Sequence, residues 1–390
     1  MSDDMHDVVV IGGGCIGSAT ALQLQRAQPG IDVVVIEPDP TYATAATMRA
    51  TGGVRQLFTR QENIALSQYT LDVIHDWACF LGLSEEAPDL DWTPNGYLFI
   101  APRETTKTLE QNYAVQTSLG VAAEWLDLPE LAARFPQLET NDLGPAVLSP
   151  HDGWLDPHAF LKGTRQAAQR RGVAYLTDRV TELSTAGPRV TGVTLASGKA
   201  LTADSFVDAA GVAAPKLAAQ AGMPLPVEPM PRHEHYVDAP GDYTELPFIK
   251  DPDGLAVRPE GSGLAVGLVD FDRPASVDLP ADHGYFDHHV WPALAHRIPG
   301  LDSLRLRRTW SGHYDQNRLD GNMIIGNWPG HVENFFVASG FSGHGLMHSP
   351  GVGRALAELI VHGKYRTIDL TAMGYQRVPD DKPYPELGVR

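Results

Sequence analysis

Hydrophobic positions open the chain in a β-type run. Asp7-Val-Val-Val-Ile11 is a short β-branched segment, followed by Gly12-Gly-Gly-Cys-Ile-Gly17 and then by Ser18 to Gln28, where Ile16, Ala19 and Leu22 recur at helical spacing. The pattern predicts a strand, a glycine turn and a helix. A second apolar strand, 31–36, ends at Glu37, and a small polar stretch, 41–56, reads as a loop. Helical periodicity returns over 62–81, 104–119 and 128–135, with a strand at 95–101 between them. From Asp156 a helix with Phe160, Leu161, Thr164 and Ala167 on one face leads into strands at 173–175, 180–183, 190–195 and 201–208. Between Val227 and Asp315 the chain turns β-rich, with strands expected at 233–237, 248–249, 255–258, 264–268 and 304–310 and one helix near 282–296. The last part holds 322–326, a glycine-rich run from Phe335 to Leu346, a helix at 352–362 and an irregular tail from Val378.

The 390 residues, 43% of them hydrophobic, exceed what one core usually organises, about 250 to 300 residues. Two domains are expected: one in three pieces, 1–90, 145–225 and 320–390, and one from 91–144 and 226–319. A net charge of −18 repels nucleic acid and anionic membrane surfaces, so neither is expected as a partner. Cys15 and Cys79 are too few for a disulfide framework and lack zinc-site spacing, so no metal is expected and a reducing, cytoplasmic setting fits. Asp3, Asp4 and Asp7 stand where a secretory signal would carry basic residues. The longest uncharged stretch, 8–25, is interrupted by glycines and glutamines and makes a poor membrane span.

In the opening unit Gly12 permits the tight turn, Gly14 lets a pyrophosphate approach the backbone, and Gly17 lets helix and strand pack closely. The helix N-terminus then presents unpaired N–H groups and a positive dipole end to the phosphates. Glu37 follows Gly17 at the interval where a carboxylate accepts the ribose hydroxyls of an adenosine, which disfavours NADP. FAD and NAD share this fingerprint, and it does not choose between them. Phe206-Val-Asp-Ala-Ala-Gly211 reads as a strand end lying close to a cofactor or as a plain turn. Gly343-His-Gly345 precedes a helix, and reads as a second N-terminus aimed at a ligand or as a packing turn.

Taken together, Val9 to Gly17 with Glu37, Arg49 to Gln56, Val207 to Gly211, Asp253 to Pro259 and Gly340 to Gly345 resemble the D-amino acid oxidase superfamily of FAD-dependent oxidoreductases, in its sarcosine oxidase-like and dimethylglycine dehydrogenase-like branch. The likeness runs from Met5 to about Ile368. It implies an α/β fold: a Rossmann-like FAD-binding domain of glutathione reductase type, with an inserted substrate domain of antiparallel sheet and helices. It further implies oxidation of the C–N bond of an amino acid or secondary amine, by hydride transfer to flavin N5 and hydrolysis of the resulting imine. Oxygen or a respiratory acceptor would take the electrons. The FAD contacts it implies are Gly12, Gly14, Cys15, Ile16, Gly17, Glu37, Pro38, Thr47, Arg49, Gly52, Gly53, Val180, Ala210, Gly211, Gly343, His344, Gly345 and Leu346.

For the chemistry, the resemblance sets Arg55 beside the isoalloxazine and His344 at its pyrimidine side. Arg258 and Tyr314 are candidates for the substrate carboxylate, through a bidentate guanidinium and one phenolic hydrogen bond, although a strand Arg is as readily salt-bridged. His233, His235 and Tyr236 lie on one strand. The two histidines share a face, either a pocket wall or an exposed polar face, and His235 is the preferred candidate. The chain departs from sarcosine oxidases at three places: no Cys in Trp310–Asp315, no Lys in Gly263–Gly267, and Met347 where those enzymes carry a carboxylate-binding lysine. Arg49 stands where dehydrogenase relatives carry a flavin-linked His, so FAD is expected to be non-covalent, with His313 as the alternative tether. Two other functions are compatible with the sequence: a flavin-bearing assembly or chaperone-like protein for a respiratory complex, and an NAD-dependent dehydrogenase.

Overall fold

The computed structural model describes residues 5–104, 106–270, 273–279 and 283–387, and within them the chain builds two eight-stranded sheets and one two-stranded pair. The first sheet grows from the opening run. Met5–Ile11 pairs in parallel with Val33–Glu37 on one side and Ala200–Asp208 on the other. Ala174–Thr177 extends one edge, while Val332–Ser339 and the antiparallel Ile324–Trp328 extend the other. A ribbon of Val180–Ala186 and Arg189–Leu195 joins the start of Ala200–Asp208. Val8, Val9 and Val10 are all buried, because a largely parallel sheet is covered on both faces and its strands read as unbroken apolar runs. Helix Cys15–Ala27 lies on one face against the C-terminal helix Gly345–His362, at a distance only glycine allows. A Cβ on Gly353 would come within 2.6 Å of the Ala19 carbonyl carbon.

The second sheet runs in the order Arg305–Asn317, Val227–Asp238, Gly263–Leu268, Leu255–Glu260, Phe248–Lys250, Tyr97–Pro102, Leu143–Ser149, Glu124–Leu126. It is antiparallel except where Phe248–Lys250 meets Tyr97–Pro102, the seam between the two sequence-distant pieces that build it. One face carries Leu98, Ile249, Val257, Leu264 and Val266 into a core closed by Phe286, Val290, Leu294 and Ile298. The strand Leu143–Ser149 crosses the expected boundary at 144/145 and pairs wholly within this sheet.

Several elements differ from the periodicity reading. The C-terminal helix begins at Gly345, not 352, although Ser349-Pro350-Gly351 reads as a breaker. Pro350 lacks the N–H that would bond the Leu346 carbonyl, and the Ser349 hydroxyl donates to that oxygen instead, at 2.9 Å. The long helix expected over 62–81 divides at Asp76 into Gln61–His75 and Trp77–Leu81. Within 41–56 a helical turn forms at Ala46–Arg49, and Gly53–Val54 pairs with Gly153–Trp154. The helix expected near 282–296 spans His283–Arg297, Asp282 lying outside the described residues.

Candidate active site

The glycine turn takes its shape from contacts no other residue tolerates. Gly12 has φ +98°, and a Cβ there would sit 2.4 Å from the Ala209 carbonyl oxygen. A Cβ on Gly17 would sit 1.9 Å from the Gly12 oxygen, so the helix could not start where it does. The N-cap residue Gly14 has no side chain to cap that helix, Thr47 Oγ1 accepts from the Cys15 amide at 3.2 Å, and its N-terminal turn faces a cavity of about 540 Å³. The Glu37 carboxylate accepts from the amides of Gly13 and Asp39, both at 2.9 Å, and so fixes the turn while lining the same cavity. Every residue expected to contact FAD lines this cavity except Gly17, which serves the packing of helix on strand. Burial pushes the Cys15 thiol up to about 11, so it stays protonated among these contacts.

A second helix N-terminus closes on the cavity from the opposite end of the chain. Asp315, near the end of the second sheet's edge strand Arg305–Asn317, accepts from the amides of Gly340 (2.8 Å) and Phe341 (3.2 Å) and thereby pins the glycine-rich loop. Gly343 has φ +98° and lies against the Tyr314 ring, which a Cβ would approach to 2.5 Å. His344 then begins the helix with its Nε2 3.2 Å from Arg55 Nη2. Arginine has no acceptor, so the Nε2 lone pair takes this bond and the ring proton is assigned to Nδ1. Arg55 is itself buried, stacked 3.8 Å above the Phe58 ring, and its neighbour Gln56 is held by Asp152 through both backbone and side chain. Arg55, Tyr314 and His344 are thus brought together on one cavity wall.

His235 and Arg258 are not. The strand Val227–Asp238 turns the opposite face from the one expected. His233 and His235 point into the helix-covered core, where His235 bonds Thr309 and packs 4.9 Å from Phe286 and His233 bonds Ser311. Arg232 and Glu234, one residue out of step, line the cavity. Tyr236 packs over Gly263 and does not line it. Arg258 shares the cavity-side face, but its guanidinium is spent on the carbonyls of Thr51 and Pro259 and on the Glu260 carboxylate, and it too lies off the cavity wall. Sequence reasoning missed Arg232, Glu234, Lys250, Tyr97 and Phe248, all of which line it. The missed signal is in the neighbouring strand, where small Gly263, Ala265 and Gly267 alternate with large Leu264, Val266 and Leu268. The small face leaves room for a ligand, and Glu234 is in register with it.

Residues 7–359 match the family model described as DAO, FAD dependent oxidoreductase. The chain belongs to the FAD-dependent oxidoreductase family. Among its relatives it is 35% identical to FAD-dependent oxidoreductase domain-containing protein 1 of Xenopus laevis, over 98% of this chain and 84% of that one. Monomeric sarcosine oxidase of a Bacillus species is 24% identical over 92% and 93%. L-proline dehydrogenase from P. horikoshii superposes with a TM-score of 0.86 at 25% identity, covering 98% of this chain and 100% of that one. The NAD-dependent reading falls with this match. The family's cofactor is FAD, and the cavity suits it: backbone walls at Gly12, Gly14, Gly52 and Gly211, two helix N-termini whose N-cap residues supply no side-chain cap, and Glu37 at one end. Among the described residues no helix is long and apolar enough to cross a membrane.

Proposed function

We propose that this family member oxidises the C–N bond of an amino acid or secondary amine, the substrate lying between the flavin site and the second sheet. The observation that carries this is one cavity walled at one end by the nucleotide-binding turn and at the other by Arg55, Tyr97, Glu234, Lys250, Tyr314 and His344. When bound, FAD would supply the two-electron acceptor for the substrate's hydride. The chain's own residues do the rest. Phe248, stacked on Tyr97 with ring centroids 4.4 Å apart, gives the pocket an apolar wall that excludes water. The helix N-terminus at Gly345, with Arg55 behind His344, offers positive potential where negative charge builds on reduction. The imine that leaves takes up water in solution and hydrolyses.

The FAD is held without a covalent bond in this reading. His313 donates through Nε2 to the Ser276 carbonyl at 3.0 Å, and Arg49 is engaged with the Ala43 carbonyl. Acid precipitation should leave the yellow colour in the supernatant; colour in the pellet contradicts non-covalent binding. The test of the reaction is anaerobic bleaching of the bound flavin by D-amino acids, N-methyl amino acids, L-proline and pipecolate. At least one should reduce it, after which stopped-flow mixing with oxygen or a quinone identifies the acceptor. A firmly bound FAD that none of them reduces would overturn the reading in favour of a flavin-bearing assembly protein.

A further inference from the structure

We infer that Glu234 and Lys250 form a zwitterion-recognition pair, Lys250 taking the carboxylate and Glu234 the amine of an amino acid. The inference rests on the proposed amine oxidation and narrows its substrate class from amines at large to amino acids.

The two residues lie in one cross-strand row. Glu234 is in register with Gly267, Gly267 with Ala256, and Ala256 with Lys250. Side chains directly opposite across a sheet share a face, so the row reads carboxylate, nothing, methyl, ammonium. It is a trough with a charged group of opposite sign at each end. Its backbones span roughly 14 Å, three strand spacings, with Glu234 reaching over Gly267 and the Lys250 ammonium lying over the Phe248 ring. The Glu234 carboxylate oxygens lie 2.7 Å from where a Cβ on Gly267 would stand, so the trough floor exists only because residue 267 is glycine.

The protein gives these two charges long-range attraction to each other and, for Lys250, a position 5.6 Å above the Phe248 ring. Among the described residues the Glu234 carboxylate and the Lys250 ammonium form no hydrogen bond and no ion pair, although both line the cavity. The next row on the same face is the control. It runs Tyr236, Ala265, Arg258, and its one charge is fully engaged with carbonyls and with Glu260. Both side chains are half-buried at the cavity, where a charge without a hydrogen-bond partner is poorly stabilised and a ligand that supplies one improves it. Tyr97 and Tyr314 add phenol groups that also line the cavity without a bonded partner among the described residues.

The arrangement does chemical work besides binding. An ammonium cannot release hydride from the adjacent carbon, because its nitrogen has no free lone pair. Transfer of one N–H proton to a Glu234 oxygen leaves that pair on nitrogen and a neutral carboxylic acid on the protein, so no charge is created in the pocket.

The test uses the full-length FAD-loaded protein and three ligands of one shape, none with a hydrogen to lose at the carbon bearing nitrogen or carboxylate: 2-aminoisobutyrate, pivalate and tert-butylamine. Dissociation constants are read from the perturbation of the flavin spectrum. Wild type should bind 2-aminoisobutyrate most tightly. Lys250→Met should weaken 2-aminoisobutyrate and pivalate about tenfold or more and spare tert-butylamine, and Glu234→Gln should weaken 2-aminoisobutyrate and tert-butylamine and spare pivalate. Lys250→Arg and Glu234→Asp should restore part of each loss, provided FAD content is unchanged. Equal effects on all three ligands, no effect on any, or no spectral change in wild type would overturn the pair. Failure of the oxidation reading looks different: the crossed pattern of dissociation constants would persist while no amine or amino acid reduced the flavin.

Discussion

The two faces of the second sheet carry polar groups that look alike in sequence and are treated oppositely by the fold. On the helix-covered face, His233 and His235 bond hydroxyls of the next strand, and Arg297 is fully buried against Asp251 and Asp142. On the cavity face, among the described residues, Glu234 and Lys250 form no hydrogen bond and no ion pair, Lys250 only lying over the Phe248 ring. Depth and bonding both separate them: Arg297 and the two histidines are buried and bonded, whereas Glu234 and Lys250 are half-buried and form no hydrogen bond. A buried charge with its partners in place is architecture, whereas a half-buried one facing a cavity without them is free to take a ligand.

Removing a charge from each face should therefore give opposite results. Arg297→Met strands the buried Asp251 carboxylate and should cost about 3 to 5 kcal/mol of unfolding free energy in denaturant titrations of the apoprotein. Lys250→Met deletes an unsatisfied charge and should leave the apoprotein as stable as wild type or more so. If both lose stability alike, the contrast between the faces is wrong. Next in size is Arg55→Met, which removes the guanidinium bonded to His344 and should slow flavin reduction by about a hundredfold with FAD still bound. Stopped-flow reduction by the best substrate measures it.

A smaller effect follows from pH. Burial first, then Arg55 and Arg232, pull Lys250 down to about 8, against the opposing pull of Glu234. The charged form that grips a carboxylate is therefore present below that value and lost above it. Pivalate affinity should be flat below about 8 and fall roughly tenfold per unit of pH above it, and Lys250→Met should abolish that dependence. The smallest effect belongs to His235→Phe, which sits on the satisfied face. It should change substrate-driven reduction by less than about twofold, since the ring touches Phe286 and Thr309 and not the cavity. A large loss would return His235 to the active site.

The sequence was most legible where structure is local. Residues 7–37 predict strand, turn and helix because the glycines and the β-branched run act within a few positions of each other. Glu37 and Gly343-His-Gly345 could be placed for the same reason. The sheet side of the cavity was harder, because its residues come from four strands separated in sequence by up to about half the chain, and Val227–Asp238 is polar on both faces. Alternation inside that strand cannot say which face is covered. The answer lay in its neighbour, Gly263–Leu268, whose large residues mark the core side. Arg258 misled for a related reason: its residue type fits a carboxylate, but its bonding to Thr51, Pro259 and Glu260 appears only in three dimensions. The early start of the last helix was hidden by Pro350, whose missing donor is offset by a hydroxyl one residue away.

The most direct test of the whole account is anaerobic titration of the purified holoprotein with amino acids, watching the flavin's visible absorbance. The account predicts stoichiometric bleaching by at least one amino acid that carries a hydrogen on the carbon next to nitrogen, and none by the matching amine that lacks a carboxylate. Bleaching by the amine alone, or a flavin that stays oxidised throughout, would contradict it.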